Sequence, residues 1–144
     1  MLTRTAVRLA KRSDIPFIMD ILDANDMLVK GLDWTDIGDT WWVVVHKGDV
    51  VGCVQVLFGK PLGCVNCLAV DPKFHGSGLG VQLIKTAEII LGAMGCDGYL
   101  ASTFNEVIKK KAARLGITDL GEVNLFVKRV YRHAKDTPKN DYRH

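Results

Sequence analysis

The sequence predicts an α/β fold built on a mixed, mostly antiparallel sheet flanked by helices. Three observations carry this reading. Residues 40–58, "TWWVVVHKGDVVGCVQVLF", hold two β-branched runs joined by Lys47-Gly48-Asp49, the pattern of a hairpin. "GCVNCLAV" (63–70) is a third apolar run, and it leads through a glycine-rich loop into an amphipathic helical pattern. "GYLASTF" (98–104) then reads as a further strand, so the second half of the sheet is connected by a helical crossover.

The elements follow in chain order. "TAVRLA" (5–10) alternates and reads as a short strand. "SDIPFIMDILDAND" (13–26) reads as a helix, with Ser13 as N-cap, Pro16 in the first turn, and Ile15, Ile18, Ile21 and Leu22 on one face. "MLVKGLDWTDIGD" (27–39) is polar and admits a second short helix. After the hairpin and the "GCVNCLAV" strand, residues 78–94 form a helical pattern with Leu79, Leu83, Ile84, Ala87 and Leu91 inward. "NEVIKKKAARLG" (105–116) reads as a helix begun by Asn105 and closed by Gly116. "EVNLFVKRV" (122–130) is a final strand, and residues 131–144 are a polar tail. The order is β-α-α-β-β-β-α-β-α-β-β over a single domain, 1–144.

Composition narrows the class. The 144 residues are 48% hydrophobic and 24% charged, as in soluble globular proteins, and no apolar run nears the roughly 18 residues of a membrane span. The basic start, "MLTRTAVRLAKRSD", lacks the apolar stretch of a signal peptide and reads as a strand entering a helix rather than a transit peptide. Cys53, Cys64, Cys67 and Cys96 are expected to be buried and reduced, which suits a cytoplasmic protein. "CVNC" looks like a dithiol, but in a strand residues three apart point to opposite faces, and no second pair stands at ligand spacing. No metal is therefore expected. His46 reads as a surface residue, Trp34, Trp41 and Trp42 as core and pocket wall, and Lys109, Lys110, Lys111 and Arg114 as a solvated helix face.

"AVDPKFHGSGLG" (69–80) carries the chemistry. Gly76, Gly78 and Gly80 stand on alternate positions where a strand-to-helix loop opens a helix. Helix N-termini expose unpaired N–H groups and partial positive charge, and glycines let an oxyanion approach the backbone. The stretch is thus a cradle for a phosphate or pyrophosphate. It is not the dinucleotide fingerprint, which follows the first strand with a different spacing. Nor is it a Walker loop, since Gly80-Val81-Gln82 replaces Gly-Lys-Ser/Thr.

At these residues the sequence resembles a family. "CLAVDPKFHGSGLGVQLI" is similar to the acyl-CoA motif of the GNAT superfamily of N-acyltransferases, through Val70, Pro72, Gly78 and Gly80. Asn105, Gly116 and Ile117 fall in the register of the family's second signature, and the element order matches along nearly the whole chain. The resemblance implies a GNAT-like sheet and an acetyl-CoA co-substrate. The pantetheine arm would add along Leu68, Ala69 and Val70. The pyrophosphate would lie on the amides of His75, Gly76, Ser77, Gly78, Leu79 and Gly80, with the Ser77 hydroxyl as a further donor and Asn105 also on the cofactor side. The implied reaction is direct attack of a primary amine on the thioester in a ternary complex.

The sequence departs from the family's pattern at the reacting centre. His75 stands where Arg or Gln is usual, Asn66 where many members carry a catalytic Glu, and Ala112 where a Tyr protonates the leaving thiolate. Asn66, Tyr99 and Ser102 are the remaining catalytic candidates, with Thr103 and Tyr131 as further hydroxyls. Residues 13–39 carry seven aspartates against Lys30, net −6, which leaves +9 elsewhere and +3 for the chain. In GNAT-like folds this region borders the acceptor. Asp26, Asp33, Asp36 and Asp39, with Trp34, are therefore expected to receive a cationic acceptor, either a small-molecule amine or a protein lysine or N-terminus. Two other classes remain: an acyl-CoA-binding or partner-binding module with a degenerate site, and a nucleic-acid-associated protein, suggested by the basic helix and tail. Nucleic acid is the less favoured partner, no membrane partner is expected, and a homodimer is left open.

Overall fold

The computed structural model describes residues 4–27, 38–101, 110 and 113–118. The chain divides into two compact units, Met1–Thr103 and Phe104–His144. The first contains β1 (Thr5–Leu9), α1 (Ile15–Ala24), β2 (Trp41–His46), β3 (Asp49–Leu57), β4 (Leu62–Val70), α2 (Leu79–Ala93) and β5 (Gly98–Ala101). The strands form one five-stranded sheet in chain order. All neighbours are antiparallel except β4 and β5, which are parallel across α2, as the crossover pattern requires. In the second unit Lys110, Ala113 and Arg114 are helical, and Gly116, at φ +78°, donates its N–H to the Ala113 carbonyl at 3.2 Å. Gly116 thus closes a helix as its sequence position predicts. The Asn105 start, the strand expected at 122–130 and the tail lie outside the described residues. So does most of 27–39, where a short 3-10 turn at Gly38–Thr40 leads into β2.

The hairpin closes through Lys47 (φ +50°) and Gly48 (φ +86°), a two-residue left-handed turn that follows the twist of the strands. Asp49 already belongs to β3, opposite His46. The sheet has two covered faces. On one, Ile18, Ile21 and Leu22 of α1 pack on Trp41, Val43, Cys53 and Ala69. On the other, Leu79, Leu83, Ala87 and Leu91 of α2 pack on Val44, Val51, Val54, Val56, Val65 and Val70. Ile15 and Ile84, expected inward, are only half-buried. Gly52 lets α2 sit directly on β3: a Cβ there would stand 2.7 Å from Val44 Cγ1 and 3.2 Å from Leu83 Cδ1.

Two expectations about single residues are overturned. His46 is a core residue, 9% exposed, with its ring edge-on to Phe74 at 5.4 Å between centroids. The apolar strand end outweighs its polarity. Cys64 and Cys67 fall on the same face, because a bulge in β4 adds one residue between them and resets the alternation. All four thiols are free. Burial pushes the Cys53 and Cys67 thiols up from their ordinary values; Cys53 is fully buried, whereas the other three are half-buried.

Ser13 does not cap α1. It lies inside a 3-10 turn, Arg12–Asp14, and Asp14 takes the capping position. The Asp14 carboxylate, 5% exposed, accepts a bidentate pair from Arg8 at 2.6 and 3.0 Å and the Lys11 N–H at 2.7 Å. Arg8 chiefly, and the Lys11 amide, hold this carboxyl below the usual carboxylate range against the opposing effect of burial. A lowered folded pKa means stability that is present above the unfolded carboxylate pKa and lost as pH falls through the folded value. Asp14→Asn should therefore cost about 1–2 kcal/mol near neutral pH, the screening of half-exposed Arg8 included. The difference between wild type and variant, followed by thermal unfolding, should shrink steadily below about pH 4.

Candidate active site

The site is built at the end of β4. Among the described residues, its pairing with β5 runs from Leu62 opposite Gly98 to Val65 opposite Ala101. From Asn66 to Val70 the edge of β4 away from β3 has no pairing with a described residue. A bulge in β4 lies within this stretch. Val54 on β3 faces both Cys67 and Leu68, and Cys67 takes the left-handed backbone, φ +54°. A non-glycine residue adopts that conformation at a cost of about 1–2 kcal/mol, met here by packing on both sides of the strand. The bulge puts Asn66 and Cys67 on the α1 face and returns Leu68 and Val70 to the α2 face.

The glycine loop follows directly. Asp71 caps a 3-10 turn at Pro72–Phe74 by accepting the Lys73 N–H at 3.0 Å. The expectation that every amide from His75 to Gly80 is available is too broad. The His75 N–H goes to the Pro72 carbonyl and the Ser77 N–H to the Phe74 carbonyl, each at 3.2 Å. The Ser77 hydroxyl also donates to the Phe74 carbonyl, closing the turn instead of reaching outward. Gly76, Gly78, Leu79, Gly80 and Val81 make no backbone N–H bond to a described residue, and α2 has no side-chain N-cap. These amides, at the positive end of a 15-residue helix, are equipped to receive an anion. Gly76 and Gly78 stand at φ +81° and +87°, with open space where a Cβ would lie.

One carbonyl joins this loop to the opposite face of the sheet. The Val70 carbonyl accepts from His75 Nε2 at 2.9 Å and from Asn25 Nδ2 at 3.0 Å, and Asn25 Nδ2 also reaches the Ile21 carbonyl at 2.8 Å. His75, in the position where the family has Arg or Gln, thus holds the turn through its ring. Asn25 was not legible as a site residue. Its only signal is an Asn at the end of a helix.

Of the catalytic candidates, Asn66 and Tyr99 are described, and they lie on opposite faces of the sheet. Asn66 is half-buried on the α1 face. Tyr99 lies on the α2 face, where its hydroxyl donates to Glu88 Oε1 at 2.8 Å. Burial first and Glu88 second push its phenol well above the usual range, so it is a poor acid at neutral pH. Ser102, Thr103, Asn105, Ala112 and Tyr131 lie outside the described residues, as do Asp33, Trp34 and Asp36. Asp26 and Asp39 are exposed. No group of three metal-ligating side chains occurs among the described residues, and no described helix is long and apolar enough to cross a membrane.

A family model described as an acetyltransferase (GNAT) domain matches residues 38–117, more than half of the chain, with β4, the glycine loop and α2 inside it. The chain belongs to the GNAT acetyltransferase family. No curated protein sequence matches it significantly. Solved GNAT structures share its fold. A protein from Mycobacterium tuberculosis, in complex with CoA and NLQ, is 24% identical at a TM-score of 0.66, covering 84% of this chain and 76% of that one. N-acetylglutamate synthase from Neisseria gonorrhoeae, complexed with coenzyme A and N-acetyl-glutamate, is 20% identical at a TM-score of 0.67 over 76% of this chain. The alignment spans only 27% of that enzyme. An aminoglycoside N-acetyltransferase in complex with CoA is 16% identical at a TM-score of 0.68, covering 90% of this chain and all of that one.

The loop geometry separates two glycines of the GNAT motif. Gly78→Ala forces a Cβ onto a left-handed backbone and should lower stability by about 1–2 kcal/mol. Gly80 is helical, and a Cβ there meets Leu68 and Val70 at an ordinary 3.9 Å. Gly80→Ala should gain about 0.5–1 kcal/mol. Chemical denaturation of the two variants checks both signs.

Proposed function

We propose that the protein is an acetyl-CoA-dependent N-acetyltransferase acting on a primary amine. The observation that carries this reading is the loop after β4, whose amides at Gly76 and Gly78–Val81, at the positive end of α2, have no partner among the described residues. The fit to a pantetheine chain ending in phosphates is chemical. The edge of β4 from Asn66 to Val70, unpaired among the described residues, offers backbone groups to an amide-bearing arm, and the start of α2 offers N–H groups to phosphate oxygens. Leu68, Ala69 and Val70 would hold the arm. Gly76, Gly78, Leu79 and Gly80 would hold the pyrophosphate. His75 and Ser77 shape the turn. Acetyl-CoA supplies an activated acetyl group, so the chain's main task is to set amine and carbonyl at attacking distance, a contribution of roughly 7–11 kcal/mol. Free thiols and the absence of a membrane-crossing helix among the described residues suit a cytoplasmic site of action.

A second reading, an acyl-CoA-binding module without turnover, is favoured by the engagement of Tyr99 with Glu88 and by a neutral Asn66. Turnover of acetyl-CoA over a panel of amines separates the two. Calorimetry tests the cofactor site itself. Gly80→Glu adds a carboxylate at the second residue of α2, where it suits the helix dipole but repels phosphate. The variant should fold as well as wild type and lose more than tenfold in CoA affinity; equal affinities would remove the assignment. For the acceptor, the proposal is a cationic amine drawn in by the acidic segment that includes Asp26 and Asp39, with Asp33 and Asp36 between them. Its kcat/KM should fall as ionic strength rises, and fall less in Asp33→Asn/Asp36→Asn. A salt-independent rate, or preference for an anionic acceptor, contradicts it.

A further inference from the structure

The α1 face of the sheet carries a polar pair among apolar neighbours. Gln55 on β3 and Asn66 on β4 stand directly opposite each other, and Gln55 also faces Trp41, whose ring lies in the α1-side core. Gln55 is 7% exposed, and its Nε2 donates to Thr40 Oγ1 at 3.1 Å. Burying a carboxamide is costly unless its polar atoms are used. The described residues offer Gln55 Oε1 no donor, and they offer the Asn66 side chain no hydrogen bond. Directly opposed side chains have Cβ atoms about 4.5–5.5 Å apart, close enough for two carboxamide oxygens to share one incoming group.

We infer that Gln55 and Asn66 are the acceptor-positioning pair and that they hold the incoming nitrogen as a free amine, with no proton passed to the protein. This rests on the acetyltransferase reading. Carboxamide oxygens accept N–H bonds but do not take up the proton of an ammonium near neutral pH. Two N–H bonds to this pair leave the nitrogen lone pair to attack the thioester carbonyl. The C–N bond forms, the C–S bond breaks, and the nitrogen's surplus proton passes through water to the departing thiolate, so atoms and charge balance without a protein base.

The titratable surroundings agree. On the α1 face burial holds the Cys53 and Cys67 thiols protonated, and Cys64 is the third thiol there. Arg8 and Asp14 neutralise each other. Lys11 and Arg12 before α1, Asp20 and Asp23 on it, Asp26 after it, and Asp39 before β2 are all exposed.

The test is kcat/KM against pH for two probe acceptors: a short peptide with a free α-amine, which ionises near about 8, and a primary alkylamine, which ionises near about 10. The acidic limb should follow each acceptor's own ionisation, so the two profiles stand about 2 pH units apart. Asn66→Glu installs a base and should bring both limbs to one shared, lower pH. Gln55→Leu should raise the acceptor KM roughly tenfold, the loss of one hydrogen bond, with the acetyl-CoA KM unchanged. A wild-type limb at the same pH for both amines overturns the inference while leaving acetyl transfer intact. Equal changes in both KM values for Gln55→Leu make Gln55 merely structural and overturn the pair. No turnover with either amine, while CoA still binds, overturns the acetyltransferase reading and the inference together.

Discussion

The bulge at Cys67 is the constraint on which the rest of the architecture depends. One extra residue in β4, held at φ +54° opposite Val54, changes which side chains face each layer. Before it, Val65 packs toward α2; after it, Leu68 and Val70 do so again, and Asn66 and Cys67 share the α1 side. An unbulged strand would keep strict alternation, and a one-residue slip would turn either Val65 or Val70 away from the α2 core. A local backbone distortion of roughly 1–2 kcal/mol therefore sets which side chains of β4 face α1 and which face α2.

The Val70 carbonyl ties this strand to the rest of the molecule. The strand ends there, and a terminal carbonyl would otherwise turn to water. It accepts instead from Asn25 at the end of α1 and from His75 in the glycine loop. Two layers on opposite sides of the sheet are thus referenced to one atom. The Asp71 N–H, bonded to the Val51 carbonyl at 2.8 Å, fixes the same corner from the sheet side. The loop amides are sorted by this bracing. Those of His75 and Ser77 close the turn, and those of Gly76 and the first turn of α2 have no partner among the described residues.

The α/β class, the hairpin, the α2 face and the glycine cradle were legible because each rests on a repeating pattern or on a residue type with one dominant physical use. Gly48 and Gly78 are needed for left-handed backbone, and Leu79, Leu83, Ala87 and Leu91 keep helical spacing. What was not legible depends on events with no periodic signature. Cys67 is neither Gly nor Asn, so nothing in "CVNC" announces a left-handed residue, and the expected opposition of Cys64 and Cys67 followed from an unbulged strand. His46 looked exposed beside a turn, but Phe74, 28 positions on, covers it. Ser13 looked like a cap until Arg8, from the preceding strand, engaged Asp14. Gln55 was hidden inside an apolar run, and its meaning comes only from the register that sets it against Asn66.

The magnitudes explain how the fold can tolerate an irregular acid–base complement. A lost general acid or base costs roughly 10²–10⁴-fold, or about 3–5 kcal/mol, whereas orienting two reactants supplies roughly 7–11 kcal/mol. The larger contribution depends on backbone groups: the β4 edge, the amides of the glycine loop and the fixed start of α2. Those features follow from strand register, a bulge and glycines, and they persist whatever side chain occupies position 66 or 99. The smaller contribution depends on individual side chains, and there the chain carries Asn66 and a Tyr99 turned toward Glu88. On the proposed reading, backbone geometry sets what the site binds, and Gln55 and Asn66 set the protonation state in which an acceptor is received.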